Sequence, residues 1–192
     1  MVAVSTPQIS PVPAEEKLLT AEEYYATCRL QHTELINGKV VELSPPGFEH
    51  GEIAVKIASR IQAFVRDHKL GRVSVEGGFR LQRNPAIVRS PDVSFVEAAR
   101  LEGVSTRGFI EGAPTLAVEI VSPGDLWSEV EDKVRLYLDK GSGAVWIVDP
   151  QTRTIEVRTT RTAPHVYSVD DTLRGGDILP GFQLPAKDVF DL

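Results

Sequence analysis

The chain has 192 residues, 42% of them hydrophobic and 25% charged, with a net charge of −6. At ~150 residues per domain this is one domain plus an arm. The single cysteine, Cys28, excludes an internal disulfide framework and a Cys-rich zinc site, and no apolar run approaches the ~20 residues of a membrane helix. The opening MVAVSTPQISPVPAEEK has neither a basic leader nor an apolar segment, so it does not read as a signal peptide, and the expectation is a soluble, cytoplasmic protein.

The acidic total is unevenly spread. Residues 1–50 carry −4, 51–110 carry +4, 111–150 carry −5 and 151–192 carry −1. Arg60, Arg72, Arg80, Arg83 and Arg89 make up much of the basic block. Patches, rather than totals, decide local association, and an ordinary solvated surface is the plainer alternative.

Residues 1–19, with prolines at 7, 11 and 13 and no periodicity, read as a flexible arm. Thr20 followed three residues later by Glu23 is a capping box opening a short helix from Ala21 to about Arg29. Thr33–Ile36 and Lys39–Leu43, joined by Asn37-Gly38, predict a hairpin, because both central residues of a type I′ turn need positive φ. From Glu52 to about Lys69, Ile53, Ile57, Ile61, Phe64 and Val65 fall on one helical face, with Gly71 as the terminating residue. Arg72–Glu76, Phe79–Gln82 and Asp92–Val96 are short strand candidates, the last after a proline-containing turn.

Thr115–Val121 is almost wholly apolar and reads as a central strand buried on both faces. A second long helix runs from about Trp127 to Lys140, with Ser128 and Glu131 as a capping box, Val130, Val134, Tyr137 and Leu138 as its buried stripe, and Gly141 as its stop. Ala144–Val148, Thr154–Arg158 and His165–Val169 are further strands, and a loop through Gly175-Gly176 and Pro180-Gly181 follows. Hairpins around a strand–helix–strand crossover predict a mixed sheet with helices on its faces.

Two acids are out of place. Glu119 sits inside the most apolar strand, where a carboxylate needs a metal, a cation or hydrogen-bond donors beside it. Asp92 opens another strand directly after Pro91. Two carboxylates on adjacent strand ends suit Mg²⁺, which takes one or two carboxylates and several waters. The plainer alternative is that Asp92 caps a turn and Glu119 pairs with a buried Lys or Arg. Lys133 lies at the margin of the helix's buried stripe and can lean toward Glu119, or else face solvent beside Glu129.

The order Pro-Asp, strand glutamate, helix lysine carries a resemblance. Ser90–Val96 resembles the Pro-Asp segment, and Ala117–Pro123 the (D/E)XK segment, of the PD-(D/E)XK or restriction-endonuclease-like superfamily. Glu34-Leu35-Ile36-Asn37-Gly38, Leu43-Ser44-Pro45-Pro46 with His50, Lys133 with Tyr137 and Gly141, and Val145–Pro150 resemble one large bacterial branch of it, formerly a domain of unknown function. The likeness spans about residues 18–190, so a nuclease domain is expected over 20–192. One departure stands out: the residue two after the glutamate is Val121 rather than lysine. The resemblance implies that the lysine has moved to the following helix, at Lys133.

The resemblance further implies an α/β fold, a restriction-endonuclease-like mixed central β-sheet flanked by α-helices, and metal-dependent hydrolysis of DNA. Mg²⁺, with Mn²⁺ as a substitute, would be held by Asp92, Glu119 and the backbone carbonyl of Ile120. Lys133 would orient a water or stabilise developing charge, Glu34 would be a further acid, and His50, Arg80 and Arg89 would contact phosphate or DNA. A homodimer is expected, because cutting two strands calls for two-fold symmetry; no small-molecule cofactor is implied. The rival expectation is a nuclease-like fold that no longer cuts and serves as a nucleic-acid-binding or assembly module.

Overall fold

The computed structural model describes residues 17–28 and 32–191. Most of the expected arm, and Arg29 at the end of the first helix, lie outside the described residues. Residues 17–19 belong to the fold: Leu19 N–H donates to the Gly38 carbonyl (2.8 Å), and Leu19 packs beside Leu35, Ala86 and Val88.

Helix α1 (Ala21–Cys28) opens on the expected capping box, with Thr20 N–H donating to Glu23 Oε2 (2.9 Å) and Glu23 N–H to Thr20 Oγ1 (3.1 Å). Strands β1 (Thr33–Ile36) and β2 (Lys39–Glu42) form the hairpin, and Asn37 and Gly38 take the left-handed φ values of 51° and 79° that the turn demands. Helix α2 (Phe48–Asp67) begins four residues before its apolar periodicity does, so its first turn, which carries His50, left no periodic signal.

Helix α2 ends differently from the expectation. Lys69, at φ 56°, takes the left-handed position, and Leu70 N–H reaches the Val65 carbonyl (2.9 Å) while Lys69 N–H reaches that of Arg66 (3.2 Å). Gly71 is required for another reason: a Cβ there would lie 2.0 Å from the Val96 carbonyl oxygen, and its φ is +154°. Gly71→Ala is therefore expected to cost about 3 kcal/mol, read as a lowered urea midpoint with an unchanged slope.

The next elements are β3 (Gly71–Val75), β4 (Phe79–Arg83), β5 (Ala86–Arg89), β6 (Val93–Glu97), α3 (Ala98–Leu101), β7 (Ile110–Glu111) and β8 (Leu116–Ile120). Strand β5 occupies part of the expected turn; Pro85 hid a four-residue run whose three apolar members are buried. Then follow α4 (Trp127–Asp139), β9 (Ala144–Asp149), β10 (Thr154–Arg158), β11 (His165–Tyr167), β12 (Thr172–Arg174), β13 (Gln183–Pro185) and α5 (Lys187–Phe190). Gly141, at φ 103°, ends α4 as expected. The expected Ser128–Glu131 box is absent: Leu126 is the N-cap without a side-chain bond, and Glu131 accepts from Arg158 instead (2.7 Å). The C-terminal stretch, expected as a loop, is a small ribbon and helix whose isolated apolar residues Leu173, Leu184, Val189 and Phe190 enter the core.

The strands form a five-stranded sheet (β2-β1-β5-β4-β7), a six-stranded sheet (β11-β10-β9-β8-β6-β3) and the β12–β13 ribbon. The six-stranded sheet is the expected mixed central sheet, and the five-stranded one stands beside it: β8 and β9 run parallel, with antiparallel neighbours on both sides. Helix α2 buries Ile53, Ile57, Ile61 and Val65 on one face of the larger sheet, each contributing roughly 1.5–3 kcal/mol. Helix α4 covers the other face with Val130, Val134 and Tyr137, together with Phe79 and Leu81 of the smaller sheet. Phe79 is accordingly a core residue, whereas Trp127 is half exposed. Among the described residues no helix is long and apolar enough to cross a membrane.

Candidate active site

Residue alternation along β8 settles which face receives the acid. Leu116, Val118 and Ile120 point into the α2 side of the core, and Ala117 and Glu119 into the α4 side. In the antiparallel register of β6 with β8, Val93 faces Val118, so Asp92 stands opposite Glu119 one step beyond the last pair. The Asp92 carboxylate takes over where the ladder stops, its Oδ2 accepting from Ile120 N–H (2.7 Å). Both acids open onto a cavity of about 780 Å³ that is also lined by Glu34, His50, Arg89 and Lys133. The sequence-predicted set therefore converges, Arg80 excepted.

Lys133 reaches down from α4 and donates to Glu119 Oε2 (2.9 Å), while Glu119 Oε1 is buried without a partner. Both sequence readings of Glu119 meet here: it is ion-paired, and it keeps one oxygen uncommitted. Burial pushes the Glu119 carboxyl up to about 7; the Lys133 charge opposes this, and the charges of Asp92 and Glu34 add to it. Burial alone would lower Lys133, but the charges of Glu119, Glu34 and Asp92 outweigh it and the net direction is up. An ammonium held this way stays protonated at neutral pH. It donates hydrogen bonds and positive charge, and it cannot take a proton from water.

His50 Nε2 lies 3.4 Å from Asp92 Oδ2. Its pKa is raised, first by the hydrogen bond to Asp92, against the effect of burial and with help from the Ile120 backbone. Glu34, 1% exposed, is held by Arg89 and by Ser90 N–H (3.0 Å). It is an interior acid on the cavity wall rather than an exposed hairpin acid, and β5, the strand hidden from sequence, is what brings Arg89 to it.

Arg80 is placed elsewhere. Its guanidinium is bound by Glu22 and Glu111 and lies outside the cavity wall, apart from the other candidates. Arg60 and Arg83 likewise face Asp188 (2.7 Å) and Glu111 (3.3 Å). With Arg89 on Glu34, four of the five arginines named for the basic block are ion-paired with acids distant in the chain. The cavity wall itself is acidic, with eight carboxylate side chains against one lysine and one arginine.

These donors fit a hard divalent cation. Among the described residues no three His, Cys, Asp or Glu side chains gather as a metal-holding group. Two opposed carboxylates, one with an unpartnered buried oxygen, and the adjoining Ile120 carbonyl are oxygen donors of the kind Mg²⁺ uses together with water. Tyr137, whose hydroxyl is also buried without a partner, was read in the sequence as part of the apolar stripe and of the family resemblance but given no role at the site. The signal that marked it was a polar aromatic one helical turn beyond Lys133.

A search of curated proteins finds no match. Among solved structures the chain is similar to the 1.96 Å crystal structure of a "putative nuclease belonging to DUF820" from Anabaena variabilis ATCC 29413, with a TM-score of 0.77 and 22% identity over 90% of this chain and 98% of that one. That likeness shows a shared fold. The sequence pattern of the Uma2 family, described as "Putative restriction endonuclease", matches residues 21–187, from the first helix through the start of the last. The chain belongs to the Uma2 family of putative restriction endonucleases.

Proposed function

We propose that this protein is a divalent-metal-dependent endonuclease that hydrolyses DNA phosphodiester bonds, using a variant site whose lysine comes from α4. The observation that carries the proposal is the convergence of Asp92, Glu119 and Lys133 on one cavity whose wall carries an excess of negative charge, Glu119 keeping one oxygen unpartnered. An acidic wall repels a polyanion unless a cation reverses the local field. Family membership supports the nuclease reading and DNA as substrate.

Asp92, Glu119 and the Ile120 carbonyl would hold Mg²⁺, or Mn²⁺ in its place. Such an ion, when bound, supplies Lewis acidity toward a phosphoryl oxygen and makes a nearby water more acidic. The chain's own groups do the rest. Lys133, fixed by Glu119, aims a permanent positive charge into the cavity, where it orients the attacking water and offsets charge that develops on phosphorus-bound oxygens. His50, one side of its ring on Asp92, steadies that carboxylate. Glu34 and Arg89 neutralise each other and hold the wall in place. A two-fold homodimer completes the proposal, giving one site per strand.

The test is incubation of the unaltered protein with supercoiled plasmid and Mg²⁺ or Mn²⁺. Nicked and linear products that vanish with chelator are expected, and light scattering should give twice the chain mass. Plasmid shifted in a gel but never cut under any divalent ion would favour the binding-module alternative. Cleavage unaffected by chelator would remove the metal from the proposal.

A further inference from the structure

Among the described residues, three buried side-chain polar atoms have no hydrogen-bond partner, and all three belong to one neighbourhood: Glu119 Oε1, the Arg89 Nε and the Tyr137 hydroxyl. Buried polar groups are nearly always satisfied, so orphans gathered at one place mark hydrogen-bonding capacity held for a purpose. Tyr137 follows Lys133 by four residues on α4, so the two side chains leave the same helical face. The tyrosine ring is 0% exposed among Val134, Ala117 and Ile147. Glu119 and Lys133 line the cavity and Tyr137 does not. Tyr137 therefore approaches Glu119 from the core side and cannot touch a substrate. Burial first, then the charges of Glu119 and Glu34 and the nearness of the Glu119 carboxylate as an acceptor, push its hydroxyl well above the usual tyrosine range, so it remains a donor without a hydrogen bond of good geometry.

We propose that Tyr137 is a positioning residue for Glu119: in the cation-loaded protein its hydroxyl donates to Oε1 while Lys133 donates to Oε2, so that the carboxylate presents a defined lone pair to the cavity. This rests on the reading of Glu119 as a cation ligand. A carboxylate oxygen has two acceptor directions, so Oε1 serves the tyrosine and the cation together. Helix α4 thus supplies both fingers of the grip, one turn apart.

The test is Tyr137→Phe, which removes one oxygen and leaves the ring in place. A side chain that only packs predicts no change in any property. The proposal predicts that two measurements part company. Melting of the cation-free variant should occur at the parent temperature or above it, since an unsatisfied hydroxyl is gone. Its Mn²⁺ affinity by calorimetry should fall about tenfold. Equal Mn²⁺ affinity in parent and variant would overturn the inference while leaving Glu119 a ligand. A lower melting temperature would also overturn it, because the hydroxyl would then have a partner without the cation. A parent that binds no Mn²⁺ would overturn the reading of Glu119 and this inference with it.

Discussion

Lys133→Met should leave cation binding in place and lower plasmid cleavage about a thousandfold. The aliphatic stem is kept, so the packing of α4 against the sheet is little disturbed; what is lost is the charge that reaches Glu119 Oε2 across 2.9 Å. Without its partner, the buried Glu119 carboxyl rises further, so calorimetry is carried through a rising pH series until each protein's affinity levels off, and the plateaus are compared. Glu119→Gln is the contrasting variant: it should lose both cation binding and cleavage, because an amide cannot replace the anionic ligand. A Lys133→Met protein that cuts at the parent rate would show that the helix lysine plays no part in the chemistry.

Cation affinity should climb between about pH 5 and pH 7 by about tenfold per pH unit for each proton released, and flatten above that range. The cation needs an ionised Glu119, whose carboxyl sits at about 7, so binding competes with its proton. His50 acts in the same direction: its pKa is raised first by the hydrogen bond to Asp92, and losing its proton eases the approach of a cation to the same carboxylate. Lys133, shifted up, does not titrate in this window.

Stability of the cation-free chain should run the opposite way. Both Glu119 and His50 hold protons more tightly folded than unfolded, so their contribution is fully present below the unfolded values and is lost as pH rises through the folded ones. Thermal melts at pH 5 and pH 8, with and without Mg²⁺, should therefore cross: the protein gains from the cation mainly at the higher pH. An affinity that stays flat from pH 5 to 8 would place the cation's ligands elsewhere.

The elements that bury a periodic or continuous apolar set were legible before any coordinates: α2, α4, β8 and β9 all lie within a few residues of their predicted bounds. So was the Asn37-Gly38 turn, whose chemistry is local. What stayed hidden was set by distant contacts. Strand β5 exists because β1 and β4 flank it, and the C-terminal ribbon because its scattered apolar residues find the α2 side of the core. At the site, the out-of-place acid Glu119 and the helix lysine were readable from local pattern. The fate of the arginines was not, since Arg80 meets Glu22 and Glu111 from 58 and 31 residues away, and sequence charge blocks carry no information on such pairings.

Placing the lysine on α4 rather than two residues after Glu119 has a consequence for how such a centre can change. A lysine on the same strand would have its spacing from the acid dictated by the pleat, which no ordinary substitution alters. Here the spacing depends on how α4 beds down on β8, through Val130 and Val134. A methyl group added or removed beneath the helix would shift the ammonium relative to the carboxylate without touching either, so the proposed chemistry would be open to tuning by core repacking as well as by exchanging charges.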